Sequence, residues 1–233
     1  MRQIVLDTET TGLEWRNGDR VIEIGCVELV SRQLTGRHFH VYVNPEREVD
    51  AGAIAVHGIT NEFLADKPRF RDVAADFEHF VRDAELVIHN ASFDVGFLDH
   101  ELDRIGRPKL AELSAGVIDT LKMAKEQHPG KKASLDALCE RYEVANAHRT
   151  LHGALLDAEL LADVYLAMTR GQESLMIALD DDFAGGAAGR GWGDQRPALR
   201  VLKAGAEELA THQAYLEQMG DAMWLQRPSA DEE

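Results

Sequence analysis

The chain has 233 residues, 45% hydrophobic and 28% charged, the proportions of a soluble globular protein with one good core and an appendage. Its 41 acidic against 25 basic residues give a net charge of −16, which excludes a broad basic face for gripping duplex DNA but not a small acidic pocket that meets phosphates through bound cations. No apolar run reaches transmembrane length and the opening MRQIVLD lacks a signal-peptide pattern, so the expectation is a cytoplasmic protein with no membrane contact. Cys26 and Cys139 lie far apart in apolar contexts and are expected as reduced core residues rather than a disulfide or zinc site.

Residues 4–6, Ile4-Val5-Leu6, form an apolar run bounded by turn residues and predict a buried strand. A polar turn over 14–19 leads to a long strand over 20–30, and alternation over 37–43 predicts a third strand ending at Asn44-Pro45. The short connections among these three predict an antiparallel meander. Residues 46–70 read as loop-rich, with a tight backbone turn at Gly58. The spacing of Val73, Phe77, Phe80 and Val81 predicts a helix over 73–83, and the wholly apolar 86–88 a strand covered on both faces. A helix over 93–105 follows, with Ser92 as its N-cap, and Pro108 closes that unit.

Beyond it come a short strand over 117–120, a helix from Leu121, a helix capped by Ser134 that runs to about Tyr142, a loop over 148–152 and a strongly apolar helix over 154–168. Three strands followed by alternating helices and strands predict a mixed α/β sandwich around one sheet. The composition then changes: 180–197 is rich in Gly and Asp with no apolar period and reads as a flexible linker. Helical spacing returns over 207–224, with Leu209, Leu216, Met219 and Met223 on one stripe, too short for its own core and expected to dock on a partner.

The chemistry begins at Asp7-Thr8-Glu9-Thr10-Thr11-Gly12. Side chains alternate along a strand, so Asp7 and Glu9 share a face, where mutual repulsion and lost hydration make a cation of the hard, oxygen-loving kind a natural partner. The same pair at an exposed strand end would only start a turn. Asp94 falls in the first turn of the helix after strand 86–88 and Asp157 near the start of helix 154–168. Each has a plainer use, Asp94 at a helix dipole and Asp157 on a polar face. Strand ends and helix starts are nevertheless where a cleft beside a sheet gathers such groups. His152 precedes Asp157 by five residues, and in one helix the two would diverge by roughly 140°. With Gly153 between them, His152 belongs on the preceding loop, able to swing over the same cleft. There its ordinary pKa suits it to take a proton from water.

These stretches carry a family resemblance. Asp7-Thr8-Glu9-Thr10-Thr11-Gly12, His89-Asn90-Ala91-Ser92-Phe93-Asp94 and His152-Gly153-Ala154-Leu155-Leu156-Asp157-Ala158 are similar, in order and spacing, to the three motifs of the DEDDh 3′–5′ exonuclease superfamily, and most of all to its branch that proofreads for bacterial replicative polymerases. The resemblance covers about residues 2–172. It implies an RNase H-like α/β fold, with a mixed central sheet flanked by helices and followed by a linker and a short helical tail. Two divalent cations, Mg²⁺ or Mn²⁺, would be held by Asp7, Glu9, Asp94 and Asp157, with His152 as general base and nucleoside 5′-monophosphates as products released from a single-stranded or frayed DNA 3′ end. Thr8, Glu9, His57 and Asn90 are candidate substrate contacts, Thr8 through its backbone.

The resemblance also implies an organisation: exonuclease domain over 1–172, the remainder of a sliding-clamp motif and a linker over 173–197, and a tail over 198–233 that binds the polymerase's catalytic subunit. Gln172, Leu175 and Met176 would be the clamp contacts, and a small accessory subunit is a further expected partner. Two other readings compete, an RNA-trimming exoribonuclease of the same superfamily and a catalytically idle adaptor between polymerase and clamp. The tail argues against the first and the intact acidic set against the second.

Overall fold

The apolar run at residues 4–6 is the middle of a longer strand, β1 (Arg2–Thr10), which pairs antiparallel with β2 (Val21–Val30), itself antiparallel to β3 (Gln33–Tyr42). The structure, a computed structural model, describes residues 1–146, 151–170 and 204–218. Short connections make the first three strands a meander, as their spacing predicts. The two later strands, β4 (Glu85–Ile88) and β5 (Gly116–Asp119), are reached through helical crossovers and run parallel to β1, in the order β3-β2-β1-β4-β5.

Alternation along β1 sorts the core into two layers. Ile4 and Leu6 pack with Phe77 of α3 (Phe70–Val81) and Phe97 and Leu98 of α4 (Ala91–Arg104) on one face. Val5 packs with Val27, Val87 and Leu161 of α8 (Ala154–Met168) on the other. With helices on both sides, β4 is apolar and fully buried over Leu86, Val87 and Ile88, whose two faces are both covered. The result is the mixed, helix-flanked sheet expected from the element order.

The differences from expectation lie in short elements. Residues 46–70, read as loop-rich, contain α1 (Ala51–His57) and α2 (Asn61–Leu64). Elements of one or two turns are too short to display a 3.6-residue period. Ile59 and Leu64 from this region close a small apolar cluster over Ile22 and Val49. Gly58 does make the turn, ending α1 at φ +73°, where a side chain would be strained. Helix α4 starts before Ser92: its N-cap is Asn90, in the left-handed region at φ +64°, ψ 51°, which asparagine tolerates better than most residues. A four-residue helix, α5 (Leu110–Leu113), follows Pro108 unannounced by any periodicity. Helices α6 (Thr120–Gln127) and α7 (Leu135–Arg141) are capped by Asp119 and Ser134, whose side-chain oxygens accept hydrogen bonds from first-turn amides.

The chain divides into two units, Met1–Met176 and Ile177–Glu233. In the second, α9 (Ala206–Gln218) realises part of the helix expected over 207–224; Met219, Met223, the linker over 180–197 and the clamp-motif residues Gln172, Leu175 and Met176 lie outside the described residues. Among the described residues no helix is long and apolar enough to cross a membrane. Cys26 and Cys139 are both buried, and burial pushes the Cys26 thiol pKa far up.

One buried ion pair ties the sheet to α4. Arg20, just before β2, donates from Nη2 to Glu101 Oε2 at 2.7 Å and from Nη1 to the Pro45 carbonyl at 2.9 Å, and its Nε meets the other Glu101 oxygen. Both side chains are buried, and the bond to Glu101 raises the guanidinium pKa despite desolvation. Removing one partner strands the other charge in the core. Glu101→Ala is therefore expected to cost about 3–5 kcal/mol in stability, read as a fall in urea midpoint, with Glu101→Gln costing less.

Candidate active site

The C-terminal end of β1 carries the pair from which the site grows. Asp7 and Glu9 are half-buried and lie on the α8 face of the sheet, as Val5 does, while Thr8 leaves the opposite face toward α4. A cleft of about 520 Å³ opens where β1, β4, α4 and the start of α8 converge, and Asp7, Thr8, Glu9, Asn90, Asp94, His152 and Asp157 all line it. The structure thus brings together every residue that the sequence nominates for catalysis or metal binding.

Asp94 occupies the first turn of α4 and is 3% exposed. Its Oδ1 accepts a hydrogen bond from Thr8 Oγ1 at 2.7 Å. Burial pushes this carboxyl up to about 7, with the Asp119 carboxylate adding to the rise and the Thr8 hydroxyl opposing it. Thr8 is expected to meet substrate through its backbone; its side chain, which strand alternation aims at α4, orients Asp94. A buried carboxylate of this kind needs positive charge nearby to stay ionised at neutral pH, which a divalent ion would supply.

His152 sits on the loop before α8, its backbone N–H donating to the Val56 carbonyl at 3.2 Å. That anchor resolves the divergence a continuous helix would impose: His152 Nδ1 lies 3.2 Å from Asp157 Oδ2. The carboxylate is buried, whereas the imidazole side chain is 43% exposed at the cleft mouth. Ligand atoms of Glu9, His152 and Asp157 all lie within 4.8 Å of one another. Asp7 and Asp94 complete the cleft around that group. Carboxylate oxygens dominate the donor set, the chemistry that suits Mg²⁺ or Mn²⁺.

A second, more apolar pocket of about 510 Å³ shares Thr8, Glu9 and Phe93 with the first and is further lined by Leu13, Val56 and His57. His57 is 5% exposed. Its Nδ1 accepts from the Ile59 N–H at 3.0 Å, which leaves the ring proton on Nε2. Nε2 faces the Thr10 backbone without completing a hydrogen bond, and burial lowers the pKa of the ring, keeping it neutral. Asn90 stands at the cleft rim as the cap residue of α4, its carbonyl accepting from Phe93 N–H at 3.0 Å.

Sequence reasoning missed several contributors. Leu13, 78% exposed on the loop after β1, borders the apolar pocket, as does Phe93. Glu23 and Gly25 of β2 press on the first turn of α8. A signal for Glu23 was available: a carboxylate set inside the apolar run Val21-Ile22-Glu23-Ile24 is a charge at a position expected to be buried.

Comparison with known proteins places this arrangement. The model of a family described as exonuclease, RNase_T, matches residues 4–165. DNA polymerase III subunit epsilon of Salmonella typhimurium and that of Escherichia coli K12 are each 50% identical over 236 residues, covering 96% of this chain and 97% of the relative. The Rickettsia felis subunit is 48% identical over 220 residues, covering 93% and 96%. Among solved structures, exonuclease X in complex with 5′ overhanging duplex DNA superposes with a TM-score of 0.58 at 28% identity, over 73% of this chain and 92% of that one. E. coli exonuclease I bound to single-stranded DNA shares the fold, with a TM-score of 0.64 at 18% identity over 73% of this chain and 41% of that one. With its acidic cleft at the end of β1 and these relatives along nearly its whole length, the chain belongs to the exonuclease family and, within it, to the DNA polymerase III epsilon subunits.

Proposed function

We infer that the chain is a 3′–5′ exonuclease that proofreads for DNA polymerase III, and we propose how its cleft does so. The observation that carries the reading is the convergence of Asp7, Glu9, Asp94, Asp157 and His152 on one cleft that adjoins an apolar pocket. Divalent-metal dependence comes with the exonuclease family; two ions, Mg²⁺ or Mn²⁺, held by the four carboxylates, are our assignment. When bound, such ions neutralise an anionic phosphodiester and stabilise the departing 3′ oxygen.

The protein's own groups do the rest. His152 Nδ1–H donates to Asp157, which fixes the tautomer, so Nε2 takes the proton of the attacking water. Thr8 holds Asp94 in place through its hydroxyl. The pocket between Leu13, Val56 and Phe93 receives the base and sugar of the terminal nucleotide, where Glu9 and the Thr8 backbone offer polar contacts, the His57 ring forms part of the wall and Asn90 borders the phosphate. A nucleotide reaches this pocket only when unpaired, which favours mismatched ends. Exonuclease X, with its duplex-DNA complex, offers a precedent for DNA in this fold.

Outside the cleft, we assign residues 198–233 to the catalytic (alpha) subunit of polymerase III, Gln172, Leu175 and Met176 to the sliding clamp, and 173–197 to the remainder of the clamp motif followed by a tether. A tether raises the local concentration of the nuclease at the primer end without fixing its orientation. A small accessory subunit and a bacterial cytoplasmic setting complete the assignment.

The deciding assay is digestion of matched DNA and RNA oligonucleotides. With Mg²⁺ or Mn²⁺ the protein is expected to shorten single-stranded DNA from its 3′ end, faster at mispaired than paired termini, and EDTA should abolish the reaction; EDTA-resistant cleavage would refute the metal site. Asp7→Ala should lose the metal-dependent activity. His152→Ala should bind metal nearly normally while turnover falls about 10²–10⁴-fold, so unchanged turnover removes His152 as the base. A chain lacking residues 198–233 should keep its nuclease activity on oligonucleotides and cease to co-purify with the alpha subunit; continued co-purification would locate that contact elsewhere.

A further inference from the structure

The amides that open an α-helix have no partners within it and need acceptors from elsewhere. The N-cap of helix α8 is Gly153, which has no side chain to supply one. The acceptor comes from another strand. Glu23 of β2 is 2% exposed, and its Oε2 accepts the Ala154 N–H at 3.1 Å. Its other oxygen accepts from His40 Nε2 of β3 at 2.7 Å, and the His40 ring rests edge-on against Tyr42, 5.0 Å between centroids. Both carboxylate oxygens of Glu23 are therefore engaged by the protein itself.

That position is significant. The β1–β2 register sets Glu23 opposite Glu9 and Gly25 opposite Asp7, so each pair shares the α8 face of the sheet. Gly25 lets the helix come down onto the strand: a Cβ there would collide with the backbone of Ala154 and Leu155. The two β2 residues thus fix how far the first turn of α8 stands from Asp7 and Glu9. His152 lies two residues before Ala154 and Asp157 three after it, so this seat also governs their approach to Glu9.

We propose that Glu23 is a positioning residue for the nuclease reaction, a helix cap lent by β2 to α8 that holds His152 and Asp157 in register with Glu9. It touches neither substrate nor ions and acts through the Ala154 amide, aided by the favourable placement of a carboxylate at a helix N-terminus. The proposal rests on the exonuclease reading of the cleft.

Two substitutions in the full-length protein separate reach from charge. Glu23→Gln keeps the reach, because its amide oxygen accepts the same N–H while its NH₂ meets His40 in the other tautomer. Glu23→Asp keeps the charge but withdraws it by about 1.5 Å, one carbon–carbon bond. Amide hydrogen exchange over residues 152–158, measured without metal, should stay near wild type in the Gln variant and quicken in the Asp variant. On single-stranded DNA with Mg²⁺, kcat of the Asp variant should fall about 10-fold or more with KM within about 3-fold, and the Gln variant should recover most of the rate.

A Gln variant as slow as Asp, an Asp variant with unaltered kcat and exchange, or a loss confined to KM would each overturn the proposal. Melting curves establish that both variants are folded at the assay temperature; if the Asp variant is not, the Gln variant's rate and exchange decide alone. An inactive wild-type protein would instead sink the nuclease reading, and the exchange result would still judge the cap.

Discussion

Successive side chains of β1 leave the sheet on opposite faces, and the helices that cover those faces carry the remaining acidic groups. Asp7 and Glu9 therefore meet what α8 brings, Asp157 and the loop with His152, while Thr8 meets what α4 brings, Asp94. A helix on either face cannot reach the other through the sheet. The groups share one cleft only because each stands at the end of its element, where β1 runs out and the layers open to solvent. A slip of one residue in the β1 register would exchange the faces and dismantle the set.

Gathering carboxylates in this way works against stability. The chain is already strongly acidic, and the cleft concentrates like charge beside a buried Asp94 whose pKa rises to about 7. The folded protein tolerates this because the surrounding framework is over-determined: a β4 buried over Leu86, Val87 and Ile88, two helical layers and a bidentate Arg20–Glu101 pair behind the site. Cations that bind only the folded cleft add stability in proportion to their binding, so site and fold are linked thermodynamically. The same acidity explains how a chain of net charge −16 can handle a polyanion. On the function proposed above, ions rather than a basic surface would meet the phosphates, and the nucleotide would enter the apolar pocket beside Phe93.

Strand β2 is the scaffold for both sides of this arrangement. At its start, Arg20 reaches Glu101 on α4; at Glu23 and Gly25 it receives the first turn of α8. Hydrogen bonds and close approach, rather than further apolar area, set those distances. Capping and contact of this kind confer precision at small energetic cost.

Much of the site was legible along the chain. The D-x-E pair after an apolar strand, Asp94 and Asp157 in the first turns of helices and the loop setting of His152 all follow from alternation, helical period and residue chemistry, which act over a few neighbours. So does the α/β order of the elements. Helices α1, α2 and α5 were hidden because one or two turns show no period, and Asn90 displaced Ser92 as the α4 cap because a left-handed residue lets the chain turn directly from β4 into the helix. Only the tertiary structure decided that Thr8 serves Asp94 with its hydroxyl across 86 residues of sequence, and that Glu23 caps a helix 131 residues away. Those contacts depend on which layers face each other and how closely they approach, quantities set by packing of the whole core and carried by no local stretch of sequence.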